Sequence, residues 1–276
     1  MRPSPLVNQI CLYEIGKASI GRKIMVHAFV VMSNHVHLVV TDPACELPDF
    51  MRDFLRGVSK AISLEYGMGD GIFDKRAYSR VVLLDEQATV DKIAYCNANP
   101  VRAGLVKWGH RWPGATSSGA AFGRVYRVRR PKARYYRNSE GPLDVSFTLT
   151  APRNVEPVAF AARVVARTRE LEVAAHADLA ERNQSFVGEQ AVLATNPFDC
   201  AKSVEERRGF DPKFAGGDPQ TQQQARTWYR QWYRAYRSAL ESFREGLRGI
   251  LFPAGTWKMV KFYGCEVEAV AGIASG

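Results

Sequence analysis

Residues 23–32 and 35–41 are two runs of apolar and β-branched side chains separated by Ser33-Asn34, a pair suited to a tight turn. Two such runs across a two-residue turn pair as an antiparallel hairpin. A hairpin on its own is marginally stable in water, so other elements of the chain must cover it. The neighbouring sequence supplies them. Residues 8–15 read as a short helix carrying Ile10, Leu12, Tyr13 and Ile15, stopped by Gly16. The spacing predicts a longer helix over 47–67, with Pro48 in its first turn and Phe50, Phe54, Val58, Ile62 and Tyr66 along one face. A strand is expected over 78–84, then Asp85 as the N-cap of a helix over 86–99 that Pro100 kinks or ends.

Further strands are expected over 125–130 and 145–149, and the fold class is α+β. Residues 141–157 hold three prolines, and a domain boundary is placed near Ala151, dividing the chain into 1–150 and 151–276. Beyond it the pattern is helical, over 157–181, 186–194 and 222–250. On the last helix Trp228, Trp232, Tyr236, Ala239, Phe243 and Leu247 form one stripe, and Arg226, Arg230, Arg234 and Arg237 an adjacent one. The first stripe reads as a core face, and the second as solvated arginines or a further DNA-gripping surface. His176 reads as a surface or rim residue, and Gly188 falls inside the helix over 186–194, which weakens any helix-turn-helix reading.

Charge is distributed unevenly. The 276 residues carry a formal charge of +10, and ten basic residues without one acid lie between Arg102 and Ser139, so the remainder is neutral. A basic block on a neutral background favours a polyanionic partner, nucleic acid first. The block includes Arg102, Arg124, Arg127, Arg129, Arg130, Lys132 and Arg134, interleaved with Tyr126, Tyr135 and Tyr136, a composition that suits tracking phosphates and stacking unpaired bases. Lys60 and Lys92 are further candidates for phosphate contact. The five cysteines, Cys11, Cys45, Cys96, Cys200 and Cys265, contain no C-x-x-C pair, which argues against a disulfide framework or a zinc ribbon. With no signal-like or membrane-spanning run, the expected location is the cytoplasm, in association with the nucleoid.

The chemistry-bearing residues occupy two segments. In a strand, residues two apart share a face, so His35 and His37 bring two imidazoles to one point while Val36, Leu38 and Val40 face a core. Two imidazoles so placed can chelate a divalent ion, or simply be polar residues on an exposed strand. A histidine-triad hydrolase would need a histidine where Val39 stands, and a two-histidine phosphoesterase would need His-x-Ser/Thr twice. On the following helix Tyr95 and Asn99 are four apart, about one turn or ~5–6 Å from each other on one face. A tyrosine nucleophile and an amide-oxygen ligand would thus be presented together.

Taken in order, His-Ala-Phe-Val-Val-Met-Ser-Asn-His-Val-His-Leu-Val-Val at 27–40, Ala-Tyr-Cys-Asn-Ala-Asn-Pro-Val-Arg-Ala-Gly-Leu-Val at 94–106 and Trp112-Pro113-Gly114-x-x-Ser117-Ser118 carry a resemblance. Over residues 2–118 the chain resembles the HUH single-tyrosine transposases, and among them the REP-associated tyrosine transposases. The resemblance implies a ferredoxin-like antiparallel sheet with helices on one face, followed by a mainly helical C-terminal domain of unknown role. It also implies His35, His37 and Asn99 as ligands of Mg2+ or Mn2+, Tyr95 as the nucleophile, and single-stranded DNA with imperfect hairpins as the substrate. The expected reaction is nicking and strand transfer through a 5′-phosphotyrosine, by a monomer or homodimer. Neutral imidazoles and an amide leave such a site strongly positive, which favours phenolate-like attack.

Family members open with a strand holding a Tyr-His-x-x-x-Arg-like segment that this sequence lacks. Without it the sheet is expected to expose the edge beside the histidine-bearing strand. A start assigned too late or a decayed copy would each account for this. The rival to a nicking enzyme is therefore a catalytically inactive relative that only binds hairpin DNA.

Overall fold

The structure, a computed structural model, describes residues 1–69, 71–73, 78–119, 121–138, 141–199 and 213–268. Its elements are α1 (Pro5–Ser19), β1 (Met25–Val31), β2 (Val36–Thr41), α2 (Leu47–Tyr66), β3 (Val81–Leu83), α3 (Glu86–Arg102) and β4 (Val125–Arg129). There follow β5 (Asp144–Thr148), α4 (Pro157–Glu181), α5 (Glu189–Ala194), β6 (Lys213–Ala215), α6 (Pro219–Arg244) and α7 (Trp257–Tyr263). The chain is mixed α and β, and it divides into two compact units. The first is Met1–Tyr78 with Thr89–Gly209, the second Ser79–Ala88 with Phe210–Gly276.

In the first unit β1 and β2 form the expected hairpin. Met32 N–H donates to the carbonyl of His35 at 2.8 Å and closes the turn through Ser33-Asn34. Across the ladder Phe29 pairs with Leu38 and Val31 with Val36, while Ala28 pairs with Val39 and Val30 with His37. The register shifts between Val26 and Ala28, so His27 is an extra residue on β1, and Val26 rejoins the face of Phe29 rather than that of Ala28. His27 is itself buried. Its Nδ1–H donates to the Thr150 carbonyl at 2.7 Å, and its Nε2 accepts from the Thr41 hydroxyl at 2.8 Å.

Helices α1 and α2 cover one face of the hairpin, in a core holding Ile10, Tyr13, Phe29, Phe50, Phe54 and Ile62. Helix α1 starts three residues earlier than expected, because Ser4 Oγ accepts from Val7 N–H at 3.1 Å and Pro5 fits the first turn. The two helices approach closely at Gly57, where any Cβ would collide with the Glu14 carboxylate. Buried Glu14 accepts from the Tyr136 hydroxyl at 2.7 Å, and its burial raises its pKa. The expectation of helices on one face holds for α1 and α2 only. The other face, that of His37, meets α3.

The second edge of β1 is closed by non-strand chain. Val31 N–H donates to Ala115 and Ser117 N–H to Phe29, both at 2.8 Å, and Thr150 N–H donates to Val26 at 2.9 Å. Trp112-Pro113-Gly114 belongs to this closure: the indole N–H donates to the Val31 carbonyl at 2.9 Å, and a Cβ on Gly114 would strike that indole. Among the described residues no strand pairs with the outer edge of β2. Among the described residues there are, instead of one sheet, three two-stranded ones, β1–β2 and β4–β5 antiparallel and β3–β6 parallel, and the isolated bridges include Val26 to Leu149.

The boundary lies elsewhere than near Ala151. Helix α4 lies within the first unit and buries Phe160, Val164, Glu172, Ala175 and Leu179. Glu172 accepts from Gly109 N–H at 2.7 Å, Arg167 pairs with Asp91 at 2.7 Å, and Phe160 packs on Phe122. His176 is a half-buried rim residue, as expected, and it is held in place: its ring lies between Trp108 and Phe186 and its Nε2 bonds the Lys107 carbonyl. Gly188, at φ 89°, is the N-cap of α5. The proline-bearing stretch is thus a loop within one unit.

In the second unit β3 pairs with β6, and Asp85 accepts from Ala88 N–H at 2.6 Å to cap α3. Helix α6 has no buried residue, so the expected core stripe is only half realised. Tyr229, Trp232, Tyr236 and Phe243 form the inward side, with Tyr236 and Phe243 on buried Phe252 and the Trp232 indole donating to Ala254 at 2.8 Å. Trp228 and Leu247, placed on the stripe by four-residue counting, are 62% and 57% exposed. Four-residue steps drift forty degrees each on a 3.6-residue helix, which moves Trp228 off the face that Tyr229 occupies. No helix among the described residues is long and apolar enough to cross a membrane. Cys11, Cys45, Cys96 and Cys265 are unbridged thiols, and Cys200 lies outside the described residues.

Candidate active site

The strand pair sets the histidines. His37 stands opposite Val30 on β2, and His35 ends the turn just before it. Their rings meet edge to face with centroids 4.8 Å apart. Asn34 fixes one of them: His35 Nδ1 lies 2.7 Å from Asn34 Oδ1, an acceptor, which places a proton on Nδ1. Sequence reasoning passed over Asn34 as a turn residue only; its position next to a histidine was the available signal.

Helix α3 brings the other two residues. Tyr95 meets His37 edge to face at 5.6 Å, and Asn99 Nδ2 lies 3.1 Å from His37 Nε2. Both therefore reach His37, as their four-residue spacing on one helix face requires. Pro100 does not end the helix. It removes one donor near the C-terminus; the helix runs on to Arg102 and is closed by Ala103 N–H to Asn99 and Leu105 N–H to Pro100. The helix is held from behind at Gly109, where a Cβ would collide with the Asn97 carbonyl and whose N–H is taken by buried Glu172.

The donor set suits a cation. His37 is half-buried, and burial, helped by the neighbouring His35 and Lys92, pushes its pKa down to about 4, so the imidazole is neutral near pH 7. Asn99 Oδ1 is buried with no hydrogen-bond partner, a costly state for an amide oxygen. A half-turn of the amide exchanges its nitrogen and oxygen, and the oxygen would then face the His37 lone pair, an arrangement that a cation between them stabilises. Among the described residues no three His, Cys, Asp or Glu side chains gather, so the group has no carboxylate. Two imidazoles and one amide would hold a divalent ion without cancelling its charge.

Cations surround the tyrosine as well. The Arg102 guanidinium lies 4.5 Å from the centre of the Tyr95 ring and the Lys92 ammonium 5.5 Å. Of the basic residues selected from sequence, these two join the site. Lys60 is exposed on α2. Arg124, stacked on Tyr126 at 5.0 Å, precedes the β4–β5 ribbon, on which Arg127 and Arg129 face outward. Arg130 donates to the Gly141 carbonyl at 2.8 Å, and Lys132 and Arg134 are exposed beyond it.

Two of the interleaved tyrosines, Tyr126 and Tyr136, are turned into the protein. Alternation on β4 turns Tyr126 inward, where it stacks on Phe147 at 4.8 Å and meets Phe29. Tyr136 is only 3% exposed, between Tyr13 and Tyr135, with its hydroxyl on Glu14. No family model, curated protein or solved structure matches the chain.

Proposed function

We infer that the chain is an HUH-type, metal-dependent enzyme that nicks single-stranded DNA at hairpin or palindromic elements and transfers the cut strand. The observation that carries this reading is the convergence of Tyr95 with His35, His37 and a buried, unpartnered Asn99 oxygen, flanked by Lys92 and Arg102. Each of these groups has a part in phosphoryl transfer. Their spacing on a hairpin and a helix also supports the resemblance to REP-associated tyrosine transposases.

The Tyr95 oxygen attacks the scissile phosphorus, forming a phosphotyrosine bond as the phosphorus–O3′ bond breaks. The phenolic proton passes to water, and the departing 3′ oxygen takes up a proton to become a hydroxyl. Lys92 and Arg102 offset the negative charge of the phosphate as it approaches the ring. His35 Nε2, His37 Nε2 and Asn99 Oδ1 would hold Mg2+ or Mn2+, which when bound neutralises charge on the non-bridging phosphate oxygens. With no carboxylate among the ligands, the softer Mn2+ suits the imidazoles better than Mg2+. Because the phosphotyrosine keeps the energy of the broken bond, attack by a 3′-hydroxyl rejoins DNA without ATP.

The test mixes the full chain with Mn2+ or Mg2+ and single-stranded oligonucleotides spanning palindromes that flank its gene, beside Tyr95→Phe. An adduct that survives denaturation, needs the metal and is absent from Tyr95→Phe is expected. Hairpin binding without any adduct would overturn the enzymatic reading in favour of an inactive DNA-binding relative.

A further inference from the structure

Helix α6 carries Arg226, Arg230, Arg234 and Arg237, all exposed, and residues 219–240 contain no acid; the first on the helix is Glu241, 3.6 Å from Arg237. Core packing does not account for this face. The aromatic side of the helix is turned to Phe252 and Ala254, and no residue of the helix is buried. At 1.5 Å per residue the arginines rise by about 6, 6 and 4.5 Å along roughly 16 Å of helix. That interval is close to the ~6–7 Å between successive phosphates of an extended single strand, so the row can meet one phosphate per guanidinium. Tyr233 stands within the row and is 47% exposed, its ring steadied by Tyr229 at 6.5 Å and Tyr236 at 6.4 Å. A ring fixed on one side and open on the other has the form of a base-stacking platform.

We propose that the outer face of α6 is a second, sequence-independent binding surface for single-stranded nucleic acid, with the four arginines on consecutive phosphates and Tyr233 under a base. It belongs to the second unit and does not depend on chemistry at Tyr95. An acidic peptide would satisfy the arginines but would leave Tyr233 without a stacking partner.

The test uses the full chain carrying Tyr95→Phe, in EDTA, so that neither covalent capture nor a metal contributes. Binding of a labelled twenty-nucleotide oligo-dT, which forms no hairpin, is followed by fluorescence anisotropy against salt. Replacing the four arginines by glutamine should weaken binding roughly 10- to 100-fold near 0.15 M salt and flatten the log–log salt slope by about 2–3. The matching four-lysine variant should restore most of both. Tyr233→Ala should weaken oligo-dT about 5-fold or more while leaving an abasic oligomer unchanged. A glutamine variant with native circular dichroism and unaltered affinity and slope would overturn the proposal. So would loss of binding to poly-glutamate with oligo-dT unaffected, which would reassign the face to an acidic protein. Because the oligomer lacks a hairpin, failure here leaves the nicking reading standing, and the converse holds.

Discussion

The Tyr95 site and the outer face of α6 use burial in opposite ways. At Tyr95 the Asn99 amide is 7% exposed, its helix is held at Gly109, and the facing histidines sit on a paired strand and its closing turn. Helix α6 runs for 26 residues without one buried. The contrast suits the two proposed roles. In-line phosphoryl transfer loses orders of magnitude when a group moves by about 1 Å, so its residues must be placed by backbone that cannot shift. Charge on a polyanion acts over a Debye length of roughly 8–10 Å, so guanidinium groups on long side chains serve from an open helix.

The largest effect should come from removing a ligand of the buried site. His37→Ala or Asn99→Ala is expected to cut metal-dependent adduct formation by about 10²-fold or more while oligo-dT binding in EDTA stays native. Equal loss of both would mean that the two regions are one binding surface. A smaller effect, on stability, is expected at Gly109→Ala, whose methyl would strike the Asn97 carbonyl: about 1–3 kcal/mol by denaturant unfolding, with adduct formation lowered as well. Native stability there would show that α3 is not held from behind.

Next in size is a pH effect. Burial lowers the pKa of His27 from 6.5, so below that pH the unfolded chain binds a proton that the folded chain refuses. Its contribution to stability is complete above about 6.5 and falls as pH drops towards the folded value. Glu14 has the opposite sign, its raised pKa giving stability below 4.5 that is lost as pH rises through the folded value. Urea midpoints between pH 7.5 and 5.5 should therefore fall less steeply in His27→Gln than in the native chain; parallel slopes would remove His27 as the source. The smallest effect is expected at Trp228→Ala, within about 0.5 kcal/mol despite the size of the side chain, because most of it is exposed. A loss of several kcal/mol would make α6 a core helix after all.

Short-range order was the part that the sequence displayed. The hairpin, its Ser33-Asn34 turn, α2 and α4 follow from local pattern and capping, and α4 spans the residues expected of it. The meeting of His35, His37, Tyr95 and Asn99 was legible because strand and helix periods alone bring each pair to one face. What stayed hidden depends on distant partners. Nothing local shows that Tyr136 is drawn inward by Glu14, 122 residues away, or that α4 returns to Gly109. The helix stripe failed for a different reason: counting by fours chose Trp228 where packing uses Tyr229. The proline pattern near Ala151 signalled a loop correctly, but a loop and a domain boundary have the same composition.

The surplus residue in β1 has a consequence for how such a chain can change over time. Everything on the turn side of His27 is phased by the turn, and everything before it takes its phase from the bulge. The strand thus contains the equivalent of an expansion joint. A residue gained or lost between α1 and the bulge changes the pairing ahead of His27 and leaves Val30 opposite His37, so the imidazoles keep their aim.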